Sequence, residues 1–187
     1  MLNYNSPINN QINFNEITVK ELSPVMKLNL RGKKREFFTT VGKQLDMILP
    51  TEANTSSSSS KLTSIWLSTD EWMIVSNEII AKDTNKYPLE ESLYNSISKT
   101  NLGAVVDVTD QFVLFELEGS KIYELFSSGS PFNFNDFKEK KGSTTQTLLN
   151  NIDVTIHNKG ENLVNLFVRR SFSEHLYSWI NDSASRL

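Results

Sequence analysis

The feature that most restricts the fold of this chain is a pattern that occurs twice. The stretch "KLNLRGKKREFF", which begins at Lys27, and the stretch "LFELEGSKIYELF", which begins at Leu114, share one order of elements. Each passes from an apolar, strand-like run through a charged residue and a glycine into an amphipathic helix. The offset is about 85 residues, which is typical of a duplicated supersecondary unit. We therefore predict an α+β protein with two strand–helix–strand–strand–helix units.

Shorter patterns complete the first unit. Residues 25–30 alternate apolar and polar side chains, as in a half-buried strand, and residues 63–67 and 71–75 form two further strand-like runs. The five serines at 56–60 predict a flexible loop. Pro88 is followed by two glutamates, which favours the start of a second helix there. The first helix is indicated by apolar residues at helical spacing, namely Phe38, Val41, Leu45 and Ile48.

The second unit repeats this order. Strand-like runs at 104–108 and 112–117 precede a helix that carries Ile122, Leu125 and Phe126, and three more runs then lead to a helix near the end of the chain. We expect a disordered polar arm at 1–16, followed by a single domain, 17–187. Its two pseudo-repeats cover about 17–102 and 103–187.

The last of these helices follows the corner "LFVRRSFSEHLYSWI". Ser171 and Glu174 match an S-x-x-E capping box, in which the serine hydroxyl and the glutamate carboxylate each accept a hydrogen bond from a main-chain amide of the first turn. The sequence therefore predicts a helix capped by Ser171. Its buried stripe is predicted from helical spacing to be Phe172, Leu176, Trp179 and Ile180.

Two arginines lie where the strand meets this helix. Alternation along the strand predicts that Arg169 and Arg170 point to opposite faces. An arginine in such a place forms an ion pair in the interior or at a subunit interface, or else binds a ligand carboxylate. We favour a partner interface or structural corner that comprises these two residues and Ser171. Trp66 and Trp72 join the candidates, since aromatic pairs pack in cores or at interfaces.

The composition limits the chemistry. A net charge of −3 argues against nucleic acid or an anionic membrane surface as the main partner. The chain has no cysteine, which excludes thiolate catalysis and cysteine-bound metals. No apolar run is long enough to span a bilayer, and the N-terminal residues do not form a secretory signal, so we expect a cytoplasmic location.

Few residues are candidates for catalysis. His157 and His175 are the only histidines, and we assign a catalytic role to neither. Asp107 and Asp110 could act as paired carboxylates, but acidic residues at a strand end also close turns, which is the interpretation we favour. The glycine-rich motifs that bind phosphate are absent. We therefore predict no catalytic, cofactor-binding or metal-binding residue in this chain.

Four segments carry a resemblance to a known family. They are "LNLRG", "IWLSTDEWMIV", "AVVDVTDQFVLFELEG" and "VRRSFSEHLYSWI", and in order and spacing they resemble the gamma subunit of heterotetrameric bacterial sarcosine oxidase. The resemblance covers roughly residues 20–182. The third segment is also similar to a motif of the folate-binding aminomethyltransferase superfamily, to which the glycine-cleavage T-protein belongs. The serine tract and the asparagine-rich arm depart from the family pattern.

The resemblance implies a complex with alpha, beta and delta subunits. It implies that the other chains hold FAD, FMN, NAD, zinc and tetrahydrofolate, and that sarcosine is oxidised there to glycine, with peroxide and methylene-tetrahydrofolate as the further products. It also implies a fold like the folate-binding domain of the T-protein and a non-catalytic role in assembly. A free-standing folate-binding transferase and an unrelated adaptor remain alternatives.

Overall fold

The computed structural model describes residues 5–8, 11–14, 16–22, 24–78 and 87–187. The chain divides into two compact units. The first unit comprises Pro24–Thr109, and the second comprises Asp110–Leu187 together with the described part of residues 4–23.

Groups of two or three strands are separated by helices along the chain. The strands are β1 (Ile12–Phe14), β2 (Ile17–Glu21), β3 (Lys27–Arg31), β4 (Ser56–Ser58), β5 (Leu62–Ser68), β6 (Glu71–Ser76), β7 (Ala104–Asp107), β8 (Phe112–Glu118), β9 (Thr144–Leu149), β10 (Ile152–Gly160) and β11 (Leu163–Arg169). The helices are α1 (Arg35–Leu45), α2 (Pro88–Leu93), α3 (Ile122–Gly129), α4 (Asn135–Glu139) and α5 (Arg170–Ala184). A π-helical turn, Tyr94–Ser98, continues α2.

The first unit is an antiparallel sheet with helices on one face. Its strand order is β4-β5-β6-β3-β7. Alternate residues of β3 and β6 point toward the helices, since side chains change face at every step along a strand. Leu28 and Leu30 of β3 are fully buried and belong to the same apolar cluster as Phe37 and Val41 of α1. This cluster is the core of the unit.

The second unit has the same design with a wider sheet. Its strand order is β1-β2-β8-β11-β10-β9, and every pairing is antiparallel. Phe115 and Leu117 of β8 are buried in one apolar cluster with Phe126 of α3 and with Leu176 and Ile180 of α5. The α+β class predicted from the sequence is therefore confirmed.

A glycine follows the corresponding strand in both units. A Cβ at Gly32 would lie 2.4 Å from the Phe37 ring, so the helix could not pack as closely with any other residue here. Gly119 has a φ of 140°, and a Cβ there would lie 1.9 Å from the main-chain oxygen of Glu16. The glycine that revealed the repeat in the sequence is thus required by close packing in each unit.

The boundaries of the units differ from the predicted ones. Strand β2, which the sequence placed in the first pseudo-repeat, pairs with β8 in the second sheet. Strand β7, placed in the second pseudo-repeat, pairs with β3 in the first sheet. Strand β1 lies within the predicted polar arm at 1–16, and the rest of that prediction falls partly on residues outside the described ranges.

The prediction of a loop at residues 56–60 is wrong for its first half. Ser56–Ser58 form the edge strand β4, which pairs with β5. The Ser57 hydroxyl donates a hydrogen bond of 2.6 Å to the main-chain oxygen of Ile48, and the Ser58 and Thr63 hydroxyls are 3.1 Å apart. Serine is a poor strand former by propensity, but pairing with a neighbouring strand overrides this preference. The first unit consequently has three strands, not two, between α1 and α2.

The predicted stripe of the first helix is also wrong at both ends. Helix α1 ends at Leu45, because Asp46 adopts a left-handed conformation with a φ of 51°. Ile48 lies beyond this end and is 85% exposed. Phe37 is buried in the core, whereas Phe38 is only partly buried. Among the described helices, none is long and apolar enough to cross a membrane.

Strand β4 makes a prediction that separates a strand from a loop. The main-chain amide of Trp66 donates to the main-chain oxygen of Thr55, and the amide of Ser59 donates to the oxygen of Leu62. Since the amides of an antiparallel strand point alternately toward and away from the neighbouring strand, the Ser57 amide points toward β5 and the Ser58 amide away from it. Proline lacks the amide hydrogen, and Ser57→Pro is therefore expected to lower the unfolding free energy by roughly 1–3 kcal/mol. Ser58→Pro is the matched control and should cost much less. Thermal melting of both variants tests this, and equal melting temperatures would show that β4 is not a strand in solution.

Candidate functional site

The arginine corner lies where β11 passes directly into α5. Arg169 is the last residue of β11 and is exposed, whereas Arg170 is the first residue of α5 and is partly buried. The Arg170 amide donates to the main-chain oxygen of Gln111 over 2.9 Å, and its guanidinium donates to the main-chain oxygen of Asn5. The two arginines thus differ in role, but because one ends a strand and the other begins a helix, they do not leave opposite faces of one strand.

The predicted capping box is wrong. The strand continues into the helix without an intervening turn, so the cap position falls on Arg169, which makes no side-chain capping bond. Ser171 is exposed and already lies within the first turn. Ser173 is the serine that stabilises this turn, since it is fully buried and its hydroxyl donates to the main-chain oxygen of Arg170 over 2.7 Å.

The predicted buried stripe of α5 is only half correct. Leu176 and Ile180 are fully buried in the core of the second unit. Phe172 is 48% exposed, and Trp179 is partly buried, packed so closely over Gly129 that a Cβ there would lie 2.5 Å from the indole ring. The buried face of the helix is instead completed by Ser173 and Ala184. Two of the four buried residues of α5 are therefore small.

The two tryptophans predicted as candidates, Trp66 and Trp72, belong to the first unit and form part of its core. Trp66 and Trp72 lie directly opposite each other on β5 and β6. Trp72 is 1% exposed, and its indole nitrogen donates to the main-chain oxygen of Pro50 over 2.8 Å. Its ring packs against Phe37 and Phe38, with centroids 5.9 and 5.3 Å away. Trp72 is thus a structural residue, and Trp66 covers the edge of the same cluster.

Sequence reasoning missed a row of polar side chains across the second sheet. Lys20, Glu116, Asn165 and His157 are successive partners on β2, β8, β11 and β10. Their neighbours along each strand point into the helix-covered core, so the row lies on the other face of the sheet. The signal was present in the sequence. Side chains alternate between the two faces along each strand, and in each strand one of these polar residues occupies a position on the face opposite to the buried apolar residues.

Glu116 is the centre of this row. Its carboxylate oxygens are 2.8 Å from the Lys20 ammonium and 3.1 Å from the Lys159 ammonium. Burial raises the pKa of the Glu116 carboxyl, but hydrogen bonds from the two lysines outweigh burial and the pKa lies below its ordinary value. These two ion pairs link strands β2, β8 and β10 and give Glu116 a structural role.

His157 is buried beside Lys159. Burial, and to a smaller extent the nearby charge of Lys159, lower the pKa of the His157 imidazole to about 4. The ring is therefore neutral at pH 7. His175, in contrast, is exposed on α5, with its Nε2 atom 3.4 Å from the Nδ2 atom of Asn150. The two histidines lie in different surroundings and do not form a shared site.

The paired aspartates close a turn. The Asp107 carboxylate accepts a hydrogen bond of 2.9 Å from the Thr109 amide, which agrees with the structural interpretation of this motif. Asp110 is exposed. Within the described ranges, no group of three or more histidine, aspartate or glutamate side chains is placed to hold a metal ion.

These features define an α+β protein built from two antiparallel sheet-and-helix units, in which Glu116 links three strands of the second sheet through ion pairs. A sequence profile described as "Sarcosine oxidase, gamma subunit family" matches residues 32–186. That match covers most of the chain, and the chain therefore belongs to the sarcosine oxidase gamma subunit family.

One solved structure similar to this chain is heterotetrameric sarcosine oxidase from Corynebacterium sp. U-96 in complex with pyrrole 2-carboxylate. The TM-score is 0.80 at 22% sequence identity, over 91% of this chain and 84% of that one. At this identity the similarity concerns the fold. No curated protein sequence matches the chain.

The hydrogen bond of Ser173 in the first turn of α5 predicts a difference between two serines. Ser173→Ala removes a buried hydrogen bond and is expected to lower the unfolding free energy by about 1 kcal/mol. Ser171→Ala changes an exposed side chain and should have an effect within about 0.5 kcal/mol. Urea denaturation measures both variants. An equal loss for Ser171→Ala would restore the capping box predicted from the sequence.

The burial of His157 predicts a pH dependence of stability. Its pKa is about 4 in the folded chain and about 6.5 when unfolded, so the unfolded state binds the proton more readily below pH 6.5. The contribution is complete above pH 6.5 and is lost as the pH falls to 4, by roughly 3 kcal/mol in total. Urea denaturation between pH 7 and 4.5 gives the unfolding free energy at each pH. The slope of this free energy against pH should be smaller for His157→Gln than for wild type or His175→Gln. Equal slopes in all three proteins would contradict the burial of a neutral ring.

Proposed function

We propose that this chain is the gamma subunit of a heterotetrameric sarcosine oxidase and assembles with alpha, beta and delta subunits. The observation that carries the proposal is the family match over residues 32–186, which runs from the residue after β3 to beyond the end of α5. It therefore includes all the helices and both halves of the duplicated fold. The fold similarity to a chain of the Corynebacterium enzyme supports the same proposal.

In the proposed complex, sarcosine is oxidatively demethylated to glycine. Oxygen is reduced to hydrogen peroxide, and tetrahydrofolate accepts the one-carbon unit. We assign FAD, FMN, NAD, zinc and tetrahydrofolate to the other subunits. The chemistry of this chain supports that assignment, because it has neither cysteine ligands nor a glycine-rich phosphate-binding motif.

The role that we propose for this chain is to support assembly. Two of its partly buried carboxylates serve the fold: Glu116 links three strands through two lysines, and Asp70 lies within 3.6 Å of both Arg31 and Lys33 at the end of β3. Each unit has one sheet face covered by its own helices. Such units give a firm framework on which exposed side chains can contact partner chains.

The resemblance to the folate-binding domain of the T-protein remains part of the proposal. A free-standing folate-binding protein would have the same fold, and fold alone does not determine function. The two functions differ in a simple property, since a free-standing folate protein binds tetrahydrofolate as an isolated chain.

Co-expression with the three other subunits tests the proposal. We expect this chain to co-purify with alpha, beta and delta, and the complex to produce peroxide from sarcosine. The isolated chain should be colourless, inactive toward sarcosine and without measurable affinity for tetrahydrofolate. Absorption spectra, a peroxide assay and calorimetric titration with tetrahydrofolate provide the measurements. A complete active enzyme formed without this chain, or a flavin bound to the chain alone, would contradict the proposal.

A further inference from the structure

We draw no further inference here: the strongest candidate, the row of Lys20, Glu116, Asn165 and His157 on the face of the second sheet away from its helices, in which the buried Oδ1 atom of Asn165 has no hydrogen-bond partner among the described residues, carries no proposal because nothing in the structure shows what covers that face.

Discussion

A close contact at one glycine in each unit is the constraint on which the fold depends. At Gly32 the ring of Phe37 occupies the space of a side chain, and at Gly119 a main-chain oxygen does so. The contact at Gly32 sets α1 tightly against its sheet, and the contact at Gly119 brings the end of β8 close to the start of β2. Both glycines follow strands whose apolar residues are buried in the cores of the two units.

Much of the fold could be predicted because the decisive signals are local. The repeated strand, glycine and helix appear as short patterns, and alternation along β3 and β8 marks their buried faces. Pairing partners are not local, which explains the errors. Strand β4 consists of serines that become a strand only by pairing with β5. Strand β2 pairs with a strand almost a hundred residues away, which local patterns do not indicate.

The candidate site shows the same division. The sequence drew attention to the arginine corner, but it did not distinguish the exposed Arg169 from Arg170, whose guanidinium contacts Asn5 at the far end of the chain. The capping motif was misleading, because S-x-x-E describes a helix that starts after a turn, whereas α5 starts directly from a strand. Helical spacing predicted a single stripe that included Phe172. Only the packing of Ser173 and Ala184 against the sheet shows that the helix is rotated and leaves Phe172 outside.

The two sheets differ in the order in which their strands occur along the chain. Strand β7 follows the other strands of the first sheet, whereas β1 and β2 precede the other strands of the second sheet, in which β2 flanks β8. During synthesis, the first unit therefore has all its strands before β8 has been made. Strand β2 must wait, with its pairing edge and the apolar residues Ile17 and Val19 uncovered, until the second half of the chain emerges. The order of the strands thus makes the N-terminal segment the part of the nascent chain most exposed to misfolding and to chaperone capture.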